Sequence, residues 1–235
     1  IQHAFPGAEE GMLDHHHLGA RWEPGEMTDS WGCVWRNAEE GVIGQVVGHP
    51  LEDWSALARY TPPDPLTTAP FGTRNWEATA RQCRRIRESG EFVKGDGETL
   101  FDRLYALRGF ENLMIDIATD DPRLPVLIEM LTDYELKLVD RWLEIGVDQI
   151  SFHTDIGTQT ALMISPEKFR KHIKPMYKKL FMRCREAGTH VRLSSDGVLL
   201  AIVDDLVECG VTMHDPQIRA NGLDGIVRED RKSVV

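Results

Sequence analysis

No apolar run in this sequence reaches transmembrane length, and the opening Ile1-Gln2-His3-Ala4-Phe5-Pro6 has no signal-peptide layout. Neither a membrane-spanning helix nor a cleavable leader is expected. Cysteine is sparse: Cys33, Cys83, Cys184 and Cys209 are scattered, with no C-x-x-C pair. That spacing is unlike a small disulfide scaffold and fits reduced, buried thiols in a cytoplasmic protein. Positive charge is short as well, 27 Lys plus Arg against 38 Asp plus Glu, for a net charge of −11. Neither nucleic acid nor an anionic membrane is an expected partner, since both need a basic patch to engage phosphate. An anionic small molecule stays open, because a pocket can be basic within an acidic protein. The chain also has no initiator methionine, so a fragment of a longer architecture is expected.

What is present is ordinary for a globular protein: 41% hydrophobic and 28% charged residues over 235 positions, enough for one large α/β domain or two small ones. Residues 1–74 read as an irregular segment with Trp22, Trp31, Trp35 and Trp54. Within it, residues 29–35 and 41–47 read as a β-hairpin, and Pro62-Pro63-Asp64-Pro65 breaks any regular structure. From Asn75 to residue 235 the pattern is regular. Asn75 suits the cap of a helix over 75–89, with Gly90 closing it. A strand is expected at 91–95, then helices over 99–107 and 111–118. Leu127, Met130, Leu131, Tyr134, Leu138, Trp142 and Ile145 form the stripe of a strong helix ended by Gly146. A strand follows at 147–153. Ser165-Pro166-Glu167 is a helix-start signature, and Gly188 stops that helix. Further strands are expected at 190–194, 211–214 and 232–235, with a helix over 199–209 closed by Gly210.

Strands alternating with helices predict a parallel sheet with right-handed crossovers. The fold class is thus α/β, a (β/α) TIM-type barrel left incomplete in this chain, with a doubly wound open sheet as the alternative. In such a barrel, chemistry gathers where strands end and the following loops begin. Those ends are His153-Thr154-Asp155, Ser194-Ser195-Asp196 and His214-Asp215. His153, Asp155 and Asp196 are the candidate catalytic residues, and one imidazole with two carboxylates is also a candidate site for a divalent metal ion. In the metal-free case, two neighbouring carboxylates would leave one with a raised pKa. The plainer reading is that Asp and Ser here cap loops and helix starts. Arg192 shares a strand face with Ser194 and Asp196, and either pairs with an internal carboxylate or meets substrate. Ser194, His214 and Trp31 complete the candidate substrate-binding set. His15-His16-His17 is a poor metal site, because consecutive side chains do not converge. Gly95-Asp96-Gly97 is too short to read as a phosphate loop.

Several motifs occur in a telling order. They are Leu107-Arg108-Gly109-Phe110-Glu111-Asn112-Leu113-Met114, Gly146-Val147-Asp148, Ser165-Pro166-Glu167-Lys168-Phe169-Arg170, Arg185-Glu186-Ala187-Gly188, Ser195-Asp196-Gly197 and Asp215-Pro216-Gln217. Over residues 90–225 the chain resembles the uroporphyrinogen decarboxylase superfamily. Asp29–Trp35 and Gly48–Trp54 are similar to its methyltransferase-like members. The resemblance implies a barrel and one of two activities: methyl transfer involving a corrinoid or a thiol, or decarboxylation of uroporphyrinogen. A non-catalytic corrinoid- or porphyrin-binding protein is a third reading. It also implies a corrinoid co-substrate and a corrinoid protein as partner, while an incomplete barrel, with unpaired strand edges, is expected to self-associate through an open edge. Where the zinc-dependent branch carries His-x-Cys-Gly, this chain reads Ser194-Ser195-Asp196-Gly197. That exchange favours a hard ion such as magnesium, or none, over zinc. The arginine segment that the decarboxylase uses has no counterpart here, so that activity is expected to be weak.

Overall fold

A computed structural model describes residues 23–222, 224, 225 and 227. Of these, residues 23–93 and 105–112 form one compact unit, and residues 94–104 with those from 113 onward form another. No helix among the described residues is long and apolar enough to cross a membrane. His15–His17 and the strand expected at 232–235 lie outside the described residues.

The first unit holds a three-stranded antiparallel sheet of β1 (Gly25–Thr28), β2 (Val34–Asn37) and β3 (Gln45–Gly48), in that order. The sequence suggested a two-stranded hairpin with residues 29–35 as one strand. Asp29 prevents that: its Oδ1 accepts the main-chain N–H of Trp31 at 3.0 Å and of Cys33 at 2.8 Å, folding residues 29–33 into a turn. Gly32, at φ +81°, supplies the left-handed position the turn needs. Two short strands, β4 (Thr68–Ala69) and β5 (Gly72–Thr73), precede helix α1 (Trp76–Glu88). Asn75 caps α1 through the N–H of Ala78 at 3.1 Å, as its residue type suggests. This helix, expected to open the barrel core, groups with the N-terminal unit instead. There Arg108 lies 4.4 Å from the Trp54 ring centroid and donates to the carbonyls of Leu51 and Glu52.

The second unit is built on four parallel strands in sequential order: β6 (Lys94–Thr99), β7 (Gln149–His153), β8 (His190–Ser195) and β9 (Met213–Pro216). The α/β class and parallel pairing agree with the alternating sequence pattern; the described residues form a four-stranded sheet and not a closed barrel. Between β6 and β7 come α2 (Leu100–Arg108), α3 (Phe110–Thr119) and the long α4 (Leu124–Ile145), which ends at Gly146 with φ +79°. Helix α5 (Pro166–Lys168) starts at Ser165, whose side chain accepts the N–H of Lys168 at 3.2 Å. It continues through a π-type turn at Phe169–Ile173 into α6 (Lys174–Glu186). Pro175 accounts for the irregularity, since it lacks the N–H that a continuous α-helix would use. The helix expected over 199–209 is a tight turn at Leu200–Ile202 leading into the shorter α7 (Val203–Glu208).

One face of the sheet carries Ile150, Phe152, Val191 and Leu193, all buried against helices. Phe152, Phe181 and Tyr177 stack there with centroids 4.9 and 5.3 Å apart. β6 begins and ends later than its sequence suggests because its glycines are contact points. A Cβ at Gly95 would come within 2.7 Å of the Trp142 indole, and one at Gly97 within 2.6 Å of the Phe152 ring. The Gly-Asp-Gly stretch is thus where the sheet packs its aromatic layer most closely. Beside it the Glu98 N–H points at the buried Glu135 carboxylate, and Glu98 forms a buried ion pair with Arg103 at 2.9 Å.

Helix α6 is strongly basic, and its cations meet acids on both flanks. Lys179 pairs with Glu129 at 2.6 Å and Arg183 with Asp140 at 2.8 Å on the α4 side. Towards α7, Arg170 and Lys174 converge on Asp205 at 3.0 and 2.8 Å. Burial pushes the Asp205 pKa up, but the hydrogen bonds from Arg170 and Lys174 outweigh it and hold the carboxyl below its ordinary range.

Candidate functional site

The C-terminal ends of β6, β7 and β8 meet, and the chain turns there in a way that lays three aspartates side by side. β6 runs directly into α2, whose first turn holds Asp102. β7 ends at His153 and is followed by Thr154 and Asp155; β8 ends at Ser195 and is followed by Asp196. The Asp102 Oδ2 accepts the Asp155 N–H at 2.9 Å, and the Asp155 Oδ1 accepts the Asp196 N–H at 3.0 Å. Each carboxylate therefore anchors the main chain of the next strand end. Thr154 fixes the middle member, donating its N–H to the Ser194 carbonyl at 3.0 Å and sharing a 2.5 Å hydrogen bond with the Tyr177 hydroxyl. Burial holds the Tyr177 phenol far above its ordinary pKa, so it stays neutral.

The Asp155 carboxyl is half-buried and its pKa is raised. Burial is the first cause, and the negative charge of Asp102 adds to it; the Asp196 N–H and the His153 ring act in the opposite sense. A raised carboxyl was expected here, but with Asp196 as the repelling neighbour. The repulsion comes from Asp102, while Asp196 contributes its main-chain donor and keeps its side chain exposed.

The loops beyond these strands are locked to one another. Gly157 and Gly197 touch so closely that a Cβ on Gly197 would lie 2.2 Å from the Gly157 carbonyl carbon. The Gln217 Oε1 accepts from the Gly197 N–H at 3.1 Å and from the Gln159 side chain at 2.7 Å. The buried Asn221 accepts the Leu199 N–H at 2.8 Å and donates to the Gly197 carbonyl at 2.8 Å.

The sequence-predicted residues are distributed as follows. His153 stands exposed at the end of β7, in register with the half-buried Ser194 on β8. Arg192 lies on the same face and donates to the exposed Asp215 carboxylate of β9. His214 does not join them. It pairs in register with the buried Leu193 and so shares the helix-covered face, lining a cavity of about 230 Å³ with Leu200, Val203, Leu206 and Val211. Trp31 is only 1% exposed in the core of the other unit, where its carbonyl accepts the Tyr60 hydroxyl at 2.7 Å. A ring so enclosed cannot roof a flat substrate.

The metal-binding reading of His153, Asp155 and Asp196 needs correction. Among the described residues, no three His, Cys, Asp or Glu side chains come together in a way that would hold a metal ion. Asp155 is committed to the Asp196 N–H, and the Asp196 carboxylate stands in solvent. The four cysteines are free and buried, and among the described residues none belongs to a group of three potential metal ligands. Burial pushes the Cys184 thiol up to about 12 and the Cys209 thiol up to about 11.

Asp102 is the residue that sequence reasoning missed. With β6 placed at 91–95, Asp102 looked like an ordinary acid near a helix start. The strand in fact runs to Thr99, so Asp102 sits three positions beyond its end, comparable to Asp155 two positions beyond the end of β7. The signal was available in strand-end spacing, but only with the correct end.

No family model and no curated protein matches this chain. Among solved structures it is similar to a methyltransferase from Methanosarcina mazei, with a TM-score of 0.55 and 17% identity. The likeness covers 87% of this chain and 60% of that one, so the chain spans less than two thirds of its structural relative. At that identity the likeness is one of fold: a mixed α/β architecture around a parallel sheet, shared with a methyltransferase.

Proposed function

We propose that the chain is part of a methyltransferase-like enzyme in which Asp155 handles the proton that accompanies methyl transfer, with a corrinoid carried by a partner protein as the co-substrate. The observation that carries this reading is a half-buried carboxyl with a raised pKa at the C-terminal end of a parallel sheet similar in fold to a methyltransferase. Parallel α/β folds place their chemistry at those strand ends.

When a methyl group passes from a heteroatom to the corrinoid co-substrate, the corrinoid would supply the electron pair of the new bond, while the carbon–heteroatom bond breaks and the heteroatom keeps its pair. A protonated Asp155 supplies the proton that neutralises it. In the reverse sense, the Asp155 carboxylate takes the proton of a thiol as its sulfur bonds to the methyl carbon, and the methyl's bond to the corrinoid would break with the pair staying on the corrinoid. A carboxyl whose pKa burial raises above its ordinary value is better suited to exchange a proton than an exposed aspartate. His153 and Ser194, adjacent on β7 and β8, offer hydrogen bonds to the bound substrate. Arg192 is held by Asp215 and shapes the same face from below.

The test is absorbance spectroscopy of methylcobalamin mixed with the full chain and a thiol acceptor. Loss of the methyl-corrinoid spectrum with formation of the thioether is expected, and Asp155→Asn should slow it by about 10²–10⁴-fold. An unchanged spectrum alongside conversion of uroporphyrinogen to coproporphyrinogen would replace this reading with the decarboxylase.

A further inference from the structure

Asp102 has no place in the reading of the site drawn from sequence, yet from the first turn of α2 it ties the segment after β7 to the end of β6. Its Oδ2 receives the Asp155 N–H at 2.9 Å. It sits half-buried in the first turn of α2, where a carboxylate also gains from the helix dipole. We propose that Asp102 is the positioning residue of the site: its carboxylate anchors the Asp155 main chain and places a second negative charge beside the half-buried Asp155 side chain. This rests on the reading of Asp155 as the group that moves the proton.

The argument is one of geometry first. An N–H donated to a carboxylate is a strong, directional bond, and it fixes the peptide from which the Asp155 side chain departs. The second bond, from the Asp196 N–H to the Asp155 Oδ1, fixes the far end of that side chain at 3.0 Å. Asp155 is thus held at its main chain from the β6 side and at its carboxyl from the β8 side. The groups that bear on its charge are few. Asp102 of α2 raises its pKa; His153 of β7 and the main chain of Asp196 after β8 lower it. Tyr177 of α6 stays neutral and reaches it only through Thr154. Burial is the largest influence favouring the protonated form, and the Asp102 charge adds to it.

Carboxyl-labelled NMR of the full chain tests this without reference to turnover. In the wild type, the Asp155 carboxyl carbon should titrate with a midpoint above the ordinary 3.8. In Asp102→Asn, which keeps an oxygen to accept the Asp155 N–H, the Asp155 midpoint should move down, and the limb of the kcat profile that Asp155 sets should move with it while KM is unchanged. A wild-type Asp155 midpoint at or below 3.8 overturns the inference, and so does an unmoved midpoint in a folded Asp102→Asn. If that variant fails to fold, Asp102→Ser, which also keeps an oxygen without the charge, makes the same comparison. A moved midpoint with no methyl transfer at any pH would refute the proposed function and leave the coupling standing, so the two failures are distinguishable.

Discussion

Gly197→Ala is the substitution for which the structure gives the sharpest expectation. Gly197 has φ +80°, a left-handed conformation that costs an L-residue about 1–2 kcal/mol. A second penalty comes from contact. The new Cβ would lie 2.2, 2.3 and 2.6 Å from the carbonyl carbon, oxygen and Cα of Gly157. These are main-chain atoms, which cannot rotate away as a side-chain tip would, so overpacking adds about 1–3 kcal/mol. The sum is about 2–5 kcal/mol, a large share of the ~5–15 kcal/mol that holds a typical domain together. Gly188→Ala isolates the second penalty. Gly188 belongs to the same unit with φ +78°, but a Cβ there meets nothing within 4 Å. Urea unfolding of the two variants should give the same m-value and midpoints that differ by the contact term. Equal losses of stability would refute the close approach of the two loops. The approach also bears on function, because Gly197 follows the peptide whose N–H meets Asp155, so displacing it loosens the bond that fixes the carboxyl.

Much of the second unit was legible because its signals are local. The i, i+3, i+4 stripe from Leu127 to Trp142 required a helix whatever it packed on, and α4 buries Leu127, Leu131, Leu138 and Trp142. Ser165 caps its helix there, as Asn75 does in the first unit, both as their residue types suggested. Gly146 and Gly188 end theirs with positive φ. β6 was harder, since Lys94-Gly95-Asp96-Gly97-Glu98-Thr99 has neither the alternation nor the β-branched content of a strand. It is extended because β7 pairs with it and because Trp142 and Phe152 need glycine beneath them, which are tertiary causes. The three-stranded sheet of the first unit was read as a hairpin because the Asp29 turn looks like strand sequence until its side chain is seen to take two N–H groups. The same division holds at the site. Strand-end logic reached Asp155 and Asp196, which follow well-read strands, and missed Asp102, which follows a misread one. His214 lies on the other face of the sheet from His153 and Ser194, because being beside a strand end says nothing about which face a residue occupies until register with Leu193 is known.

The remaining expectations follow from buried or crowded groups. Arg103→Met strands the Glu98 carboxylate in the interior and should cost about 3–5 kcal/mol in chemical denaturation, whereas the double change Glu98→Gln with Arg103→Met should cost markedly less. Gly95→Ala drives a methyl into the Trp142 indole at 2.7 Å and should cost about 1–3 kcal/mol, relieved by Trp142→Phe if the indole is the obstacle. Stability against pH should separate two aspartates of opposite sense. The Asp205 carboxyl is held below its ordinary 3.8, so its contribution is present above that value and is lost as pH falls through the lower, folded one. Asp205→Asn should therefore be weaker than wild type near neutrality and converge with it in strong acid. For Asp155 the folded pKa lies above 3.8, so between the two values the folded state binds more protons than the unfolded. Stability accordingly falls as pH rises from 3.8 through the folded midpoint, and the penalty persists above it. Asp155→Asn, which retains an oxygen for the Asp196 N–H, removes that penalty and should gain on the wild type as pH rises. Denaturation midpoints for the three proteins across pH 3–8 read both signs together, and an Asp155→Asn curve parallel to wild type would mean that Asp155 ionises like an ordinary surface carboxylate.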